Sequence, residues 1–151
     1  MKKITQLIGS IFFTVGLLFI SAPSAFADTI KPVTTVREIM TGVIEPITNA
    51  LWAVALDENA PKSDEDWKAL ENQSIQLLTA SAALSLGGSG PKDTAWAKDP
   101  KWQQHLQQMI TIGNQYLQAS RNKNYQGLLD AGDILIEPCS NCHSDFPGDS
   151  Q

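Results

Sequence analysis

The sequence predicts an all-α domain built as an up-down-up-down four-helix bundle. Three observations carry that expectation. Apolar residues recur in steps of three and four along four separate segments, which is the spacing of one helix face. The breaks between them are short and rich in glycine, proline and small polar residues. No segment alternates apolar and polar residues as a half-buried strand would. Helices of about 20 residues, each about 30 Å long, joined by short connections pack as antiparallel neighbours. Three-four stripes of this kind favour crossing angles near ~20°.

The first segment spans about Thr34 to Leu56, with Val36, Met40, Val43, Ile47, Ala50 and Val54 as its stripe. Pro46 interrupts it. Proline removes the bond to the carbonyl four residues back and crowds it, so a kink is expected near Gly42, eased by the missing side chain there. Asp57 to Pro61 ends the segment.

The second segment spans about Asp64 to Leu86. Ser63 offers a capping hydroxyl, and Asp64, Glu65 and Asp66 place carboxylates at the positive end of the helix dipole. This reads as a helix start, not as a carboxylate pair for acid–base work. Trp67, Leu70, Ser74, Leu77, Ser81 and Leu84 follow the helical rhythm, the serines being small enough to let a neighbour approach. Gly87-Gly88-Ser89-Gly90-Pro91 stops the helix, and a loop is expected to Lys98.

Asp99-Pro100 is an N-cap followed by proline at the first helical position. The third stripe is Trp102, Leu106, Met109, Gly113, Tyr116 and Ser120. His105 falls one residue off that stripe and reads as a surface histidine. After a polar turn at Asn122 to Asn124, the last stripe is Leu128, Gly132, Leu135, Cys139, Cys142 and Phe146. Pro138 is expected to bend this helix near Ile134. Pro147-Gly148 ends it. The four tryptophans, Trp52, Trp67, Trp96 and Trp102, read as core or loop anchors.

Residues ahead of the bundle carry an address. Met1-Lys2-Lys3 is basic, Ile4 to Ile20 is almost unbroken apolar sequence, and Ala25-Phe26-Ala27 suits cleavage before Asp28. Residues 1–27 are therefore expected to be a secretory signal peptide and residues 28–151 the mature domain, exported to the periplasm and free of the membrane. An uncleaved anchor is the alternative, since the apolar run is near spanning length. The formal net charge is −5, and loss of Lys2 and Lys3 makes it more negative. That charge argues against nucleic acid and anionic membrane surfaces as partners. The mature length suits one domain with one core.

Both cysteines and one of the two histidines fall in Cys139-Ser140-Asn141-Cys142-His143. Cys-x-x-Cys-His reads as a c-type haem attachment site. Two thiols spaced by two residues reach the two vinyl groups on one edge of a haem, and the adjacent His143 supplies the proximal imidazole. One haem c per chain would attach from inside the bundle, because the rhythm carries both cysteines inward. Such attachment takes place outside the bacterial cytoplasm, in keeping with an exported chain. Three other readings stay open. A redox dithiol wants a cysteine at a helix N-terminus. A structural zinc wants four ligands, with only His105 left to join. A local disulfide needs nothing more. There is no nucleophile–base signature and no phosphate loop.

A leader, an all-helical domain and Cys-x-x-Cys-His near the end of the last helix together resemble the cytochrome c-prime family and its low-spin cytochrome c556-type relatives. Arg37, Met40, Pro46 and Trp52 are similar to the Met…Pro…Trp pattern of the low-spin branch. The resemblance covers the mature chain. It implies that Met40 covers the haem face opposite His143 and binds iron through sulfur. It also implies that Arg37 lies near a haem propionate, that Phe146 packs beside the haem, and that a homodimer is possible. Met109 is the fallback ligand. Two departures stand out: Asp145-Phe146-Pro147 supplies no basic residue after the histidine, and Pro138 directly precedes the motif.

The implied function is a periplasmic mono-haem cytochrome that carries single electrons between redox partner proteins and is not an enzyme. The alternative is a five-coordinate protein in which Met40 only shields the iron and nitric oxide or another small gas binds. A peroxidase would need a distal acid–base group, and the first helix offers none facing the iron.

Overall fold

Residues 31–148 are described by the structure, a computed structural model. The signal peptide expected over residues 1–27 and its cleavage before Asp28 lie outside the described residues. Among the described residues every regular element is helical and there is no strand. The elements are α1 (Val36–Ile39), a π-turn (Met40–Ile44), α2 (Glu45–Ala53), a 3-10 turn (Asp57–Asn59), α3 (Asp64–Leu84), α4 (Asp93–Trp96), α5 (Pro100–Arg121) and α6 (Tyr125–Asp145). No helix of the described residues is long and apolar enough to cross a membrane.

The first segment departs most from expectation. It is α1, π-turn and α2 in succession, where a single kinked helix is expected. Thr35 and Glu38 form a capping box: the Glu38 N–H donates to Thr35 Oγ1 at 3.1 Å, and the Thr35 N–H donates to Glu38 Oε2 at 2.8 Å. The Glu45 N–H then reaches back five residues to the Met40 carbonyl. Pro46 explains the wide turn. It has no N–H for the Gly42 carbonyl, and its ring crowds that carbonyl in a regular helix.

The extra residue in the turn shifts the burial pattern. Val43, expected inside, is 39% exposed, while Ile44 is 3% exposed. Likewise Leu51 is buried at 2%, and its neighbour Ala50 is only half-buried.

α3, α5 and α6 follow their caps. Ser63 and Asp66 form a second capping box, with the Ser63 N–H donating to Asp66 Oδ2 at 2.8 Å. Asp99 accepts from the Lys101 N–H at 2.8 Å, with Pro100 opening α5. Asn124 accepts from the Gly127 N–H at 3.1 Å to start α6. Ser74 and Ser81 are fully buried and donate to the Leu70 and Leu77 carbonyls at 2.8 and 2.7 Å, which satisfies both hydroxyls inside the core. Pro138 lies inside α6, which runs from Tyr125 to Asp145. Ile134, whose carbonyl Pro138 cannot serve, lies on the exposed side of the helix.

Packing is mutual. α5 lies along α3 and along α6, and α2 packs on α3 and α6. Leu77, Leu84, Leu106, Tyr116, Leu128 and Leu135 are the fully buried centre. Long-range hydrogen bonds tie the layers: Trp102 Nε1 donates to the Leu84 carbonyl at 2.9 Å, Trp52 Nε1 to Gly132 at 3.1 Å, and Tyr125 Oη to Val54 at 2.9 Å.

The expected loop after α3 holds a short helix, α4. Asp93 opens it, and its carboxylate is buried. Asp93 Oδ2 accepts from the Val36 N–H and from the Gly90 N–H, both at 2.8 Å. It thereby supplies an acceptor to the first turn of α1, whose N–H groups have no partner within the helix. The loop must pass very close: a Cβ on Gly88 would strike Asp93 Oδ2 and lie 2.6 Å from the Val36 nitrogen. Replacing Asp93 by Ala strands two donors, one of them buried. We expect Asp93→Ala to lower unfolding free energy by about 2–3 kcal/mol, and Asp93→Asn, which keeps an acceptor oxygen, by less than half of that. Urea denaturation of the two variants beside the parent checks both.

Candidate functional site

A cavity of about 710 Å³ opens between these elements. Ligand and cofactor sites run from roughly 300 to 1,000 Å³. One wall is the inner face of α1, the π-turn and α2. A second is the loop carrying α4, and α5 contributes Trp102. The last wall is the C-terminal half of α6 with Phe146 beyond it. All six residues singled out from sequence line this one cavity: Arg37, Met40, Cys139, Cys142, His143 and Phe146. They come from stretches about a hundred residues apart in the chain.

α6 presents Cys139 and Cys142 inward because residues three apart share a helix face. Both are half-buried free thiols, with no disulfide between them. Burial pushes the Cys139 thiol up. Cys142 is pushed up to about 11, by burial first and then by the neighbouring Cys139 and Asp145. Neutral, desolvated thiols are the opposite of the lowered-pKa cysteine that a disulfide oxidoreductase uses. His143 is exposed beside them at the cavity edge. Met40 is half-buried on the π-turn wall, and Arg37 is an exposed residue at the rim one turn earlier.

The end of α6 is clamped from α5. His105, expected on the surface, is buried at 9% exposure, and its Nε2 lies 3.0 Å from Asp145 Oδ2. Lys101 Nζ donates to Asp145 Oδ1 at 3.0 Å. These hydrogen bonds, His105 first and then Lys101, hold the Asp145 carboxyl below the usual carboxylate range. Position 145 therefore carries an acid tied to two basic side chains of α5. Phe146 meets Trp102 edge-on, centroids 5.1 Å apart at 89°, and Trp102 stacks on Trp96 at 5.7 Å and 24°. Met109, the fallback ligand, sits in the core between helices and does not line the cavity.

Sequence reasoning missed three contributors. Trp96 and Trp102 line the cavity together with Trp52. Trp102 lies on an inner stripe, but nothing in the chain pattern marks Trp96, which reaches the site only through α4. Lys92 is a second cation on the lining, from the same loop.

Chemically, these residues suit a haem held by two thioethers. The walls are apolar and aromatic, two neutral thiols stand side by side, an imidazole and a thioether sulfur face the same space, and Arg37 and Lys92 suit carboxylates. Among the described residues no three His, Cys, Asp or Glu side chains converge as a metal-ion cage would need. For the haem-free chain, alkylation of Cys142 by iodoacetamide should be slow at pH 8 and still rising at pH 10. Mass spectrometry of the labelled peptide checks this, and a rate levelling off below pH 8 would return the site to dithiol chemistry.

Comparison with protein-family models, curated proteins and solved structures returns no match to this chain.

Proposed function

We propose that this chain is an exported mono-haem c-type cytochrome of the cytochrome c-prime kind. In this reading it is a four-helix bundle carrying single electrons, in which His143 and Met40 would hold the haem iron. One observation carries the proposal: Met40, Cys139, Cys142 and His143 line a single cofactor-sized cavity, with Arg37 and Phe146 beside them. The ring of contacts among α2, α3, α5 and α6 is what a four-helix bundle requires.

A haem bound there supplies reversible one-electron iron chemistry. The chain does the rest. Cys139 and Cys142 would hold the group through two thioether links, one to each thiol. Their neutral state strands no buried charge there. His143, fixed by its place after Cys142, presents an imidazole. The hydrogen bonds from His105 and Lys101 to Asp145 hold the turn that carries it. Met40, on the opposite wall of the cavity, would supply a thioether sulfur, a donor that raises the potential relative to harder ones. Arg37 and Lys92, cations on the lining, would suit the haem carboxylates. Trp52, Trp96, Trp102 and Phe146 keep water from the apolar faces.

The test is the visible spectrum of protein made with haem-attachment machinery, in both oxidation states. We expect a sharp ferrous α band and a weak ferric methionine–iron charge-transfer band that disappears in Met40→Ala. A broad high-spin spectrum, unchanged by Met40→Ala, would replace this reading with a five-coordinate gas-binding protein. Chain without covalent haem would remove both.

A further inference from the structure

We propose that Pro46 is a positioning residue for Met40: it holds open the π-turn that keeps Met40 on the cavity wall built by α2. This rests on the reading of Met40 as an iron ligand.

On the first segment the cavity is lined by Val36, Met40, Ile44, Thr48 and Trp52, a repeat of four, with Thr35 before them and a parallel row of four-residue steps beside them at Arg37, Thr41, Glu45 and Asn49. A regular α-helix turns about 100° per residue, so each step of four overshoots by about 40°. From Met40 to Trp52 the overshoot reaches about 120°, which would send the two side chains to different faces. One extra residue accommodated in a wide turn takes back about 100°. That leaves Met40 and Trp52 about 20° apart, well inside a single apolar stripe. The Glu45 N–H bond to the Met40 carbonyl is that wide turn. The shift of burial from Val43 to Ile44 is its independent trace.

Packing at the bulge does not account for the turn. Gly42 and Val43 are exposed, and a Cβ on Gly42 would meet nothing within 4 Å. Pro46 does account for it. In a regular helix its ring would press on the Gly42 carbonyl and leave it without a donor, and widening the preceding turn relieves that contact. Pro46 is itself exposed and lines no part of the cavity, so its replacement removes no core or site contact. With alanine at 46 nothing local opposes a regular helix, and Met40 then swings away from the wall that carries Thr48 and Trp52.

The experiment uses two variants of the haem-loaded protein. Pro46→Ala should fold and lose the ferric methionine–iron band. Its ferrous affinity for carbon monoxide should rise at least about tenfold, because the open form is no longer a minor population. Pro46→Ala combined with deletion of Gly42 removes the surplus residue, so a regular helix now carries Met40 in register, and the band should return. Backbone NMR reports the same event away from the iron: in Pro46→Ala the Glu45 amide should bond Thr41 instead of Met40. A band and carbon monoxide affinity within about twofold of the parent in Pro46→Ala would overturn the proposal and leave Met40 as ligand. Loss of the band without recovery in the deletion variant would overturn it too, as damage unrelated to register. A parent without the band would instead sink the ligand reading, and this proposal with it.

Discussion

One buried carboxylate, Asp93, fixes where the Met40-bearing segment begins. Its Oδ2 takes the Val36 and Gly90 N–H groups together, joining the first turn of α1 to the loop after α3. The Ser89 N–H adds a bond to the Thr34 carbonyl at 2.9 Å. A carboxylate accepting two main-chain donors makes charge-assisted bonds, stronger than neutral ones. The same loop brings Trp96 to the cavity. At its other end the segment is fixed through Trp52 Nε1 on Gly132 and Tyr125 on Val54. Met40 lies between these anchors, on the one stretch that is not a regular helix.

The opposite wall is fixed differently. α6 carries Cys139 and Cys142 on the face that also buries Leu128 and Leu135, so packing against α5 sets their direction. Beyond them the chain would fray, as helix ends do. Instead Asp145 is tied to Lys101 and His105, and Phe146 is wedged among Trp96, Trp102 and His105. Edge-on aromatic pairs of this kind add about 0.5–1.5 kcal/mol each beyond burial. The exposed Lys101–Asp145 pair adds less, being screened by water, whereas the His105–Asp145 bond is partly buried. Orientation of the last turn thus rests on the aromatic cluster together with the His105–Asp145 bond.

Much of this was legible in the chain. Ser63 and Asp99 announce their helices because a cap is a local contact, made within three residues; Asn124, expected only as part of a polar turn, caps α6 in the same way. Met40, Cys139 and Cys142 lie on the inward stripes that their spacing marks, and His143 follows Cys142 at the cavity edge. Three features were not legible, each for a physical reason. The π-turn defeats arithmetic that assumes about 3.6 residues per turn, which is why Val43 was assigned inward in place of Ile44. Asp93 looks like any polar loop residue, since its partner Val36 is remote in sequence. His105 reads as outward because it is one residue off the stripe. A core-facing stripe is at least about 100° wide, so neighbours such as His105 and Leu106, or Tyr116 and Leu117, are both buried.

On the proposed reading, small energies far from the iron decide what kind of haem protein this is. A methionine in place 99 parts in 100 lowers the apparent affinity of any competing iron ligand about a hundredfold. That ratio corresponds to only about 2.7 kcal/mol. One helix cap is worth about 1 kcal/mol, and a charge-assisted bond about 1.5–3. The Thr35–Glu38 capping box and the Asp93 bonds to α1 are therefore the size of the whole balance between a closed electron carrier and an open gas-binding site. Thr35 and Asp93 belong to the cavity lining, but neither is a ligand in this reading. Their leverage comes from geometry, because a short α1 with few contacts of its own cannot hold a side chain in place unless its first turn is tied down. Evolution from one role to the other would then need no change at Met40, only a weaker hold on the turn that carries it.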